Sequence, residues 1–208
     1  MDSNAKFWDR IAVRYSQNPI ADEAAYQKKL AITREYLTPK SRVLEFGCGT
    51  GSTAVLHAPY VKHITAIDFA DRMVEICRER AAQAGVDNIT FERASIEEFE
   101  APDAEFDVVL GLNILHLVAD RDAAIAKVHR MLKPGGVFIS STACLGDSWM
   151  MIVGLVAPLG QLLGKLPLVK SFSEKRLIRE FERGGFAVEQ RWRPKKGQTV
   201  FIVARKTS

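Results

Sequence analysis

Apolar residues recur along this chain in two rhythms, and the change from one to the other marks out its elements. Near the N-terminus Phe7, Trp8, Ile11 and Tyr15 are spaced three to four apart, the apolar stripe of a short helix over residues 4 to 17. A second helix is expected over 21 to 37, stopping before Pro39 because a proline drives the preceding residue out of helical geometry. From Val43 the pattern turns to short apolar runs. Val43 to Phe46, His63 to Asp68, Ile89 to Arg93, Phe106 to Gly111 and Val137 to Ser141 read as five successive strands. Helices separate them. One follows Gly51; one has core positions at Met73, Ile76 and Cys77 and is ended by Gly85 as a left-handed cap; one covers Asp120 to Leu132, capped by Asp120. His129 stands in the last turn of that helix, where a cation complements the dipole. Lys133-Pro134-Gly135-Gly136 is expected to turn before the fifth strand.

The C-terminal part follows the same logic. A helix begins near Ser173, and Phe186 to Arg193 then alternates, with Phe186, Val188, Gln190 and Trp192 on one side, as an edge strand covered on one face should. Thr199 to Ala204 is uninterrupted and apolar, as a central strand covered on both faces should be. A turn around Lys196-Gly197 makes the two an antiparallel pair.

Length and composition favour one domain with one sizeable core: 208 residues, 47% hydrophobic. The net charge of +4 is uneven. From Lys170 onward eleven Lys and Arg stand against four Glu, a surplus of seven that leaves the first 169 residues at −3. Such a surplus could face anionic lipid or nucleic acid, but Arg176, Arg179 and Arg183 recur at helical spacing and read first as a solvated face. Cys48, Cys77 and Cys144 are scattered without CxxC or histidine spacing, so no disulfide framework and no metal site is suggested. No basic-then-apolar leader opens the sequence, and a cytoplasmic location is expected. From Ser148 to Gly164 seventeen residues carry no charge, yet a spanning helix needs about 20 and this run is broken by Pro158 and three glycines. It is expected to be an apolar lid, over 148 to 172, that walls a pocket and contributes Trp149 to it.

The candidate chemistry gathers at strand ends. Glu45-Phe46-Gly47-Cys48-Gly49-Thr50-Gly51 runs from a buried strand into glycines at alternate positions, which lets a small molecule lie against bare backbone and the amides of the next helix. The spacing is ExGxGxG. A dinucleotide loop would want its last small residue at position 52, where Ser52 stands. Asp68, seventeen residues beyond Gly51 at the tip of the second strand, can accept hydrogen bonds from both hydroxyls of a ribose. The fourth strand delivers Leu112, Asn113 and His116; for a hydroxyl acceptor His116 is the candidate general base there, with a packed structural histidine as the alternative.

Together with Trp8-Asp9-Arg10-Ile11-Ala12-Val13-Arg14-Tyr15 (WDxxAxxY), Leu112 to His116 and Met131-Leu132-Lys133-Pro134-Gly135-Gly136, this loop resembles the class I S-adenosylmethionine-dependent methyltransferases, in particular those acting on small molecules, quinone precursors or lipids. The resemblance implies an α/β, Rossmann-like sheet of seven strands in the order 3-2-1-4-5-7-6. It implies S-adenosylmethionine as cofactor, with S-adenosylhomocysteine as product. Gly47, Gly49 and Gly51 would pack under the methionine part, Glu45 would steady its ammonium, and Asp68 would hold the ribose. Phe69, Met73, Ser95 and Ile96 would border the adenine, although many relatives carry an acid where Ser95 stands. Leu112 and Asn113 would border the methyl; Trp8 and Tyr15 would close over cofactor and acceptor, with His116 and Trp149 on the acceptor.

The domain is then expected to comprise an N-terminal helical lid (1–40), a cofactor-binding core (41–147), the apolar lid (148–172) and a C-terminal helix and hairpin (173–208). The partner is a small, largely apolar or aromatic acceptor with an O, N, S or C nucleophile. Contact with a membrane surface, where lipids or quinone precursors reside, is the alternative; nucleic-acid methylation and non-catalytic cofactor binding rank below it. Either a monomer or a homodimer fits.

Overall fold

The computed structural model describes residues 3–144, 146, 169–194 and 199–207. Trp149, most of the apolar lid and the turn at Lys196-Gly197 lie outside the described residues.

Two helices lead the chain, α1 (Ser3–Gln17) and α2 (Glu23–Arg34). The second is shorter than its periodicity predicts: Asp22 caps it by accepting from the Ala25 amide at 2.9 Å, and beyond Arg34 the amides of Tyr36 and Leu37 close tight turns. The rest alternates strand and helix: β1 (Arg42–Phe46), α3 (Ser52–His57), β2 (His63–Asp68), α4 (Asp71–Gln83), β3 (Ile89–Arg93), β4 (Phe106–Leu112), α5 (Arg121–Met131) and β5 (Leu132–Ala143). Then come α6 (Glu174–Arg183), β6 (Phe186–Trp192) and β7 (Thr199–Lys206).

The seven strands form one sheet in the order β3-β2-β1-β4-β5-β7-β6. The first five are parallel, and β7 runs antiparallel between β5 and β6. This is the order the resemblance implies, and the burial patterns account for the placing of its last two strands. All of Val200 to Ala204 is buried, while β6 buries or half-buries only alternate residues. Within each central strand the side chains alternate between two cores. Leu44, Phe46, Val109 and Phe138 pack with Ile125, Leu177 and Phe181 on one face; Val43, Ile64, Val108 and Ile139 pack with Ala54, Val74 and Cys77 on the other.

Two local expectations need correction. Lys133-Pro134-Gly135-Gly136 is not a turn ahead of β5 but lies within it. Phe106 pairs with Leu132 and Val108 with Val137, so the chain bulges out between those pairs. And the end of α5 is met by Lys206 as well as by Arg130 of its own last turn: the Lys206 Nζ donates to the carbonyls of His129 (2.7 Å) and Leu132 (2.8 Å). Burial and that neighbouring ammonium lower the pKa of His129, which weakens it as the cation at this helix end.

One buried ion pair was not legible in advance. Arg121 and Glu180, 6% and 2% exposed, join α5 to α6 through two 2.9 Å hydrogen bonds, with the guanidinium 3.8 Å from the Phe172 ring centre. Among the described residues no helix is long and apolar enough to cross a membrane.

Candidate functional site

The carboxyl ends of β1, β2 and β4 open onto a cavity of about 500 Å³, within the range typical of small-molecule sites. Its floor is the loop after β1. Gly47 has φ 63°, and a Cβ there would fall 2.5 Å from Cγ1 of Ile114, so only glycine lets this loop pass under the one after β4. Above Gly49 the space is open. A Cβ there would meet nothing nearer than the Tyr15 ring at 3.8 Å. Gly51, the third glycine of the motif, does not line the cavity; it begins α3, packed against Cys77 and Phe91.

Asp68 ties together the loops that follow β1 and β2. Its Oδ2 accepts the Gly49 amide at 2.9 Å and its Oδ1 the Ala70 amide at 3.0 Å. Burial pushes its pKa up to about 6, against the pull of the Ala70 and Gly49 hydrogen bonds. Each oxygen keeps a lone pair for a ligand hydroxyl. Glu45 lines the same cavity but has no such support. It is 2% exposed, its Oε2 has no partner among the described residues, and burial lifts its pKa to about 8. A buried, orphaned carboxyl at a cavity wall suits a cationic ligand group. Phe69 and Met73 complete that side.

The roof comes from the N-terminal helices. Asp9 accepts the Arg72 amide at 2.9 Å and so caps α4, whose own N-cap residue is Ala70 and supplies no side-chain acceptor. This docks α1 so that Trp8 and Tyr15, edge to face with centroids 6.0 Å apart, stand over the cavity. Tyr15 is 45% exposed, and its hydroxyl pKa is raised by burial and by Asp68.

The wall toward β4 is formed by Leu112, Asn113, Ile114 and Leu117. Sequence reasoning placed the first two there and missed the others. It also missed Tyr26, which lines the cavity with its hydroxyl 3.3 Å from Thr53 Oγ1, and the Asn18-Pro19-Ile20-Ala21 connection. The break in helical periodicity at Pro19 was the available signal for that loop.

Besides Gly51, three expected residues stand elsewhere. Ser95 and Ile96 do not line the cavity. Ser95 Oγ accepts the Glu98 amide and Glu98 Oε2 accepts the Ser95 amide, both at 3.2 Å, a reciprocal cap that the S-x-x-E spacing signals. Ile96 is buried in the core. His116 is likewise absent from the lining: its carbonyl accepts the Lys170 amide at 2.8 Å, its Nδ1 is buried without a partner among the described residues, and burial lowers its pKa to about 4. That ring is neutral at physiological pH and a weak base.

Comparison with known proteins agrees with this geometry. Residues 43–136 match the profile of a methyltransferase domain. The chain is 35% identical over 98 residues to the uncharacterized methyltransferase YcgJ of Bacillus subtilis, covering 47% of this chain and 39% of that protein. It is 40% identical over 97 residues to the 27-O-demethylrifamycin SV methyltransferase of Amycolatopsis mediterranei, 46% of this chain and 36% of that one. To the ubiquinone/menaquinone biosynthesis C-methyltransferase UbiE of Shewanella piezotolerans it is 34% identical over 113 residues, 52% and 45% of the two chains. The matched stretches thus span less than half the length of these three relatives. The crystal structure of YcgJ superposes with a TM-score of 0.72 over 88% of this chain and 99% of that one at 20% identity, a likeness of fold. Residues 43–136 are thus similar in sequence to a methyltransferase domain, and 88% of the chain shares the fold of YcgJ.

Proposed function

We propose that this protein transfers the methyl group of S-adenosylmethionine to a small, largely apolar or aromatic acceptor. The observation that carries the reading is the pairing, in one cavity, of Asp68 braced by two amides with Glu45 buried and unpartnered. The first suits a ribose and the second a ligand cation. The cofactor supplies a methyl group already carried on a sulfonium leaving group. The chain's part is therefore alignment and exclusion of water, which can contribute about 7 to 11 kcal/mol. Glu45 holds the ammonium, Asp68 the ribose hydroxyls, and Phe69 and Met73 flank the base. Trp8 and Tyr15 cover the assembly, and Leu112, Asn113, Ile114 and Leu117 face the acceptor.

The names of two relatives, a demethylrifamycin methyltransferase and a quinone C-methyltransferase, support a small organic acceptor. The basic C-terminal part gives less support to a nucleic-acid target than its charge suggests, because five of its eleven cationic side chains are ion-paired within the fold. Arg176 pairs with Glu180, Arg183 with Asp122, Arg191 and Arg193 with Glu174, and Arg205 with Glu189.

Calorimetry and isotope transfer test the proposal. S-adenosylhomocysteine should bind, and Asp68→Ala should weaken it at least about tenfold, some 1.4 kcal/mol. Incubation of the protein with methyl-labelled cofactor and a metabolite extract should label organic small molecules and not RNA or protein. Heat with NAD but none with S-adenosylhomocysteine would overturn the reading.

A further inference from the structure

Behind the β4 wall three elements converge on one side chain. Asn113 is one of two non-glycine residues with positive φ among the described residues, at 57°, a conformation asparagine tolerates better than most side chains. Its amide donates to the Ser141 carbonyl, and its Oδ1 accepts from Ser141 Oγ at 3.3 Å. Ser141, 1% exposed on β5, accepts in turn from Lys29 Nζ of α2 at 2.9 Å. The same Nζ donates to Thr199 Oγ1 at the start of β7, at 3.1 Å.

This chain has a direction. An ammonium can only donate, so Ser141 accepts from Lys29 and keeps its single proton, which it gives to Asn113 Oδ1. The oxygen end of the Asn113 amide therefore faces Ser141 in this structure. The Nδ2 group is left on the side away from Ser141, on an exposed residue that lines the cavity, and has no hydrogen-bond partner among the described residues. Two N–H donors therefore meet whatever lies beside Leu112, with a positive charge two hydrogen bonds behind them. Lys29 has no ion-pair partner among the described residues. Burial lowers its pKa while Asp22, on its own helix, raises it. The other groups around it leave its charge uncompensated. Ser141 and Thr199 carry no charge, Lys28 lies over the Trp192 ring, and His57 of α3, which packs on α2, is held neutral by burial and by Arg34.

We propose that Lys29 is a positioning residue which, through Ser141, holds the Asn113 amide so that its Nδ2 hydrogens bind an oxygen of the methyl acceptor, selecting acceptors with an acidic phenolic or enolic oxygen. The inference rests on the methyl-transfer reading above and goes beyond it in naming the acceptor class. A donor-only group backed by a cation favours the ionised form of such an oxygen. The relay thus raises the fraction of acceptor ready to attack without a base among the cavity residues.

The test uses the full chain saturated with S-adenosylhomocysteine, and 4-nitrophenol as probe, because its ionised form is visible by absorbance. 4-Nitroanisole, which cannot ionise, is the control. The wild type should bind the phenolate and lower its apparent pKa. Lys29→Met and Ser141→Ala should each weaken phenolate binding about tenfold and return its titration toward that of free probe. The double variant should lose little more than either single one, as members of one relay do. Neither should alter 4-nitroanisole binding, and S-adenosylhomocysteine affinity should stay within about twofold, which also reports that the variants fold. Equal weakening of both probes, an unmoved titration in Lys29→Met, or no probe binding to the wild type with S-adenosylhomocysteine bound would overturn this inference alone. Failure of S-adenosylhomocysteine to bind the wild type would overturn the methyl-transfer reading beneath it.

Discussion

At Glu45 burial raises the carboxyl to about pH 8, so the folded chain keeps a proton that the unfolded chain gives up in the ordinary carboxylate range. Folded-state stability contributed by that proton is complete at low pH and is lost as pH rises toward 8. Asp68, raised to about 6, acts in the same direction over a lower window. His57 and His116, lowered to about 4, act the other way up to their ordinary pKa near 6.5, because there the unfolded chain binds the extra protons. Between about pH 6.5 and 8 the Glu45 effect stands alone among these four. Glu45→Gln should therefore flatten the fall in Tm across that interval and raise Tm at pH 8 by about 3 °C or more, taking roughly 1–3 kcal/mol for the unpaired buried group. The same variant should bind S-adenosylhomocysteine more weakly. A wild-type Tm that does not fall between pH 6.5 and 8 would contradict the assignment. Glu45 and Asp68 were legible in the sequence because each sits at a fixed offset from a strand end. The engagement of Ser95 in a cap and the retreat of His116 from the cavity were not, since both depend on which way a short loop turns.

Helix starts were equally readable, because a cap acts over three residues: Asp22, Asp120 and Ser173 each accept from the amide three positions on. Links between helices were hidden. Arg121 and Glu180 are 59 positions apart and read singly as surface charges. Glu180 is pushed up by burial, yet hydrogen bonds from Arg121 and Arg176 outweigh this and hold its pKa below the usual value. Glu180→Ala should leave the Arg121 charge buried and unpaired and cost about 3–5 kcal/mol in urea unfolding, whereas replacing both partners with Met should cost less than either single change. A single-variant loss under about 1 kcal/mol would show that the pair is solvated in solution.

At the scale of the whole molecule, two cores on opposite faces of one sheet make the cavity a feature of the entire fold, with α1, β1, β2 and β4 all contributing to it. A ligand that binds there stabilises everything that must be assembled to form it. At one hundred times its Kd, S-adenosylhomocysteine should add about 2.7 kcal/mol, or roughly 5–11 °C in Tm, to a single unfolding transition in calorimetry. Two transitions, only one of them shifted, would mean that the cavity belongs to a separately folding part. NAD at the same concentration should produce no shift.

The sequence by itself determined the number and kind of the described strands and which of the last two lies inside the sheet, since uninterrupted apolar runs require cover on both faces and alternating ones on only one; the full order was what the family resemblance implied. It also determined the glycine loop and its two acids, because backbone conformation and strand-end position act over a few residues. Tertiary structure decided the rest. The bulge at Lys133–Gly136, the entry of Tyr26 and residues 18–21 into the cavity, and the Lys29–Ser141–Asn113 chain each join segments far apart in sequence. Such contacts follow from how finished elements pack, and no local pattern of apolar and polar residues encodes them.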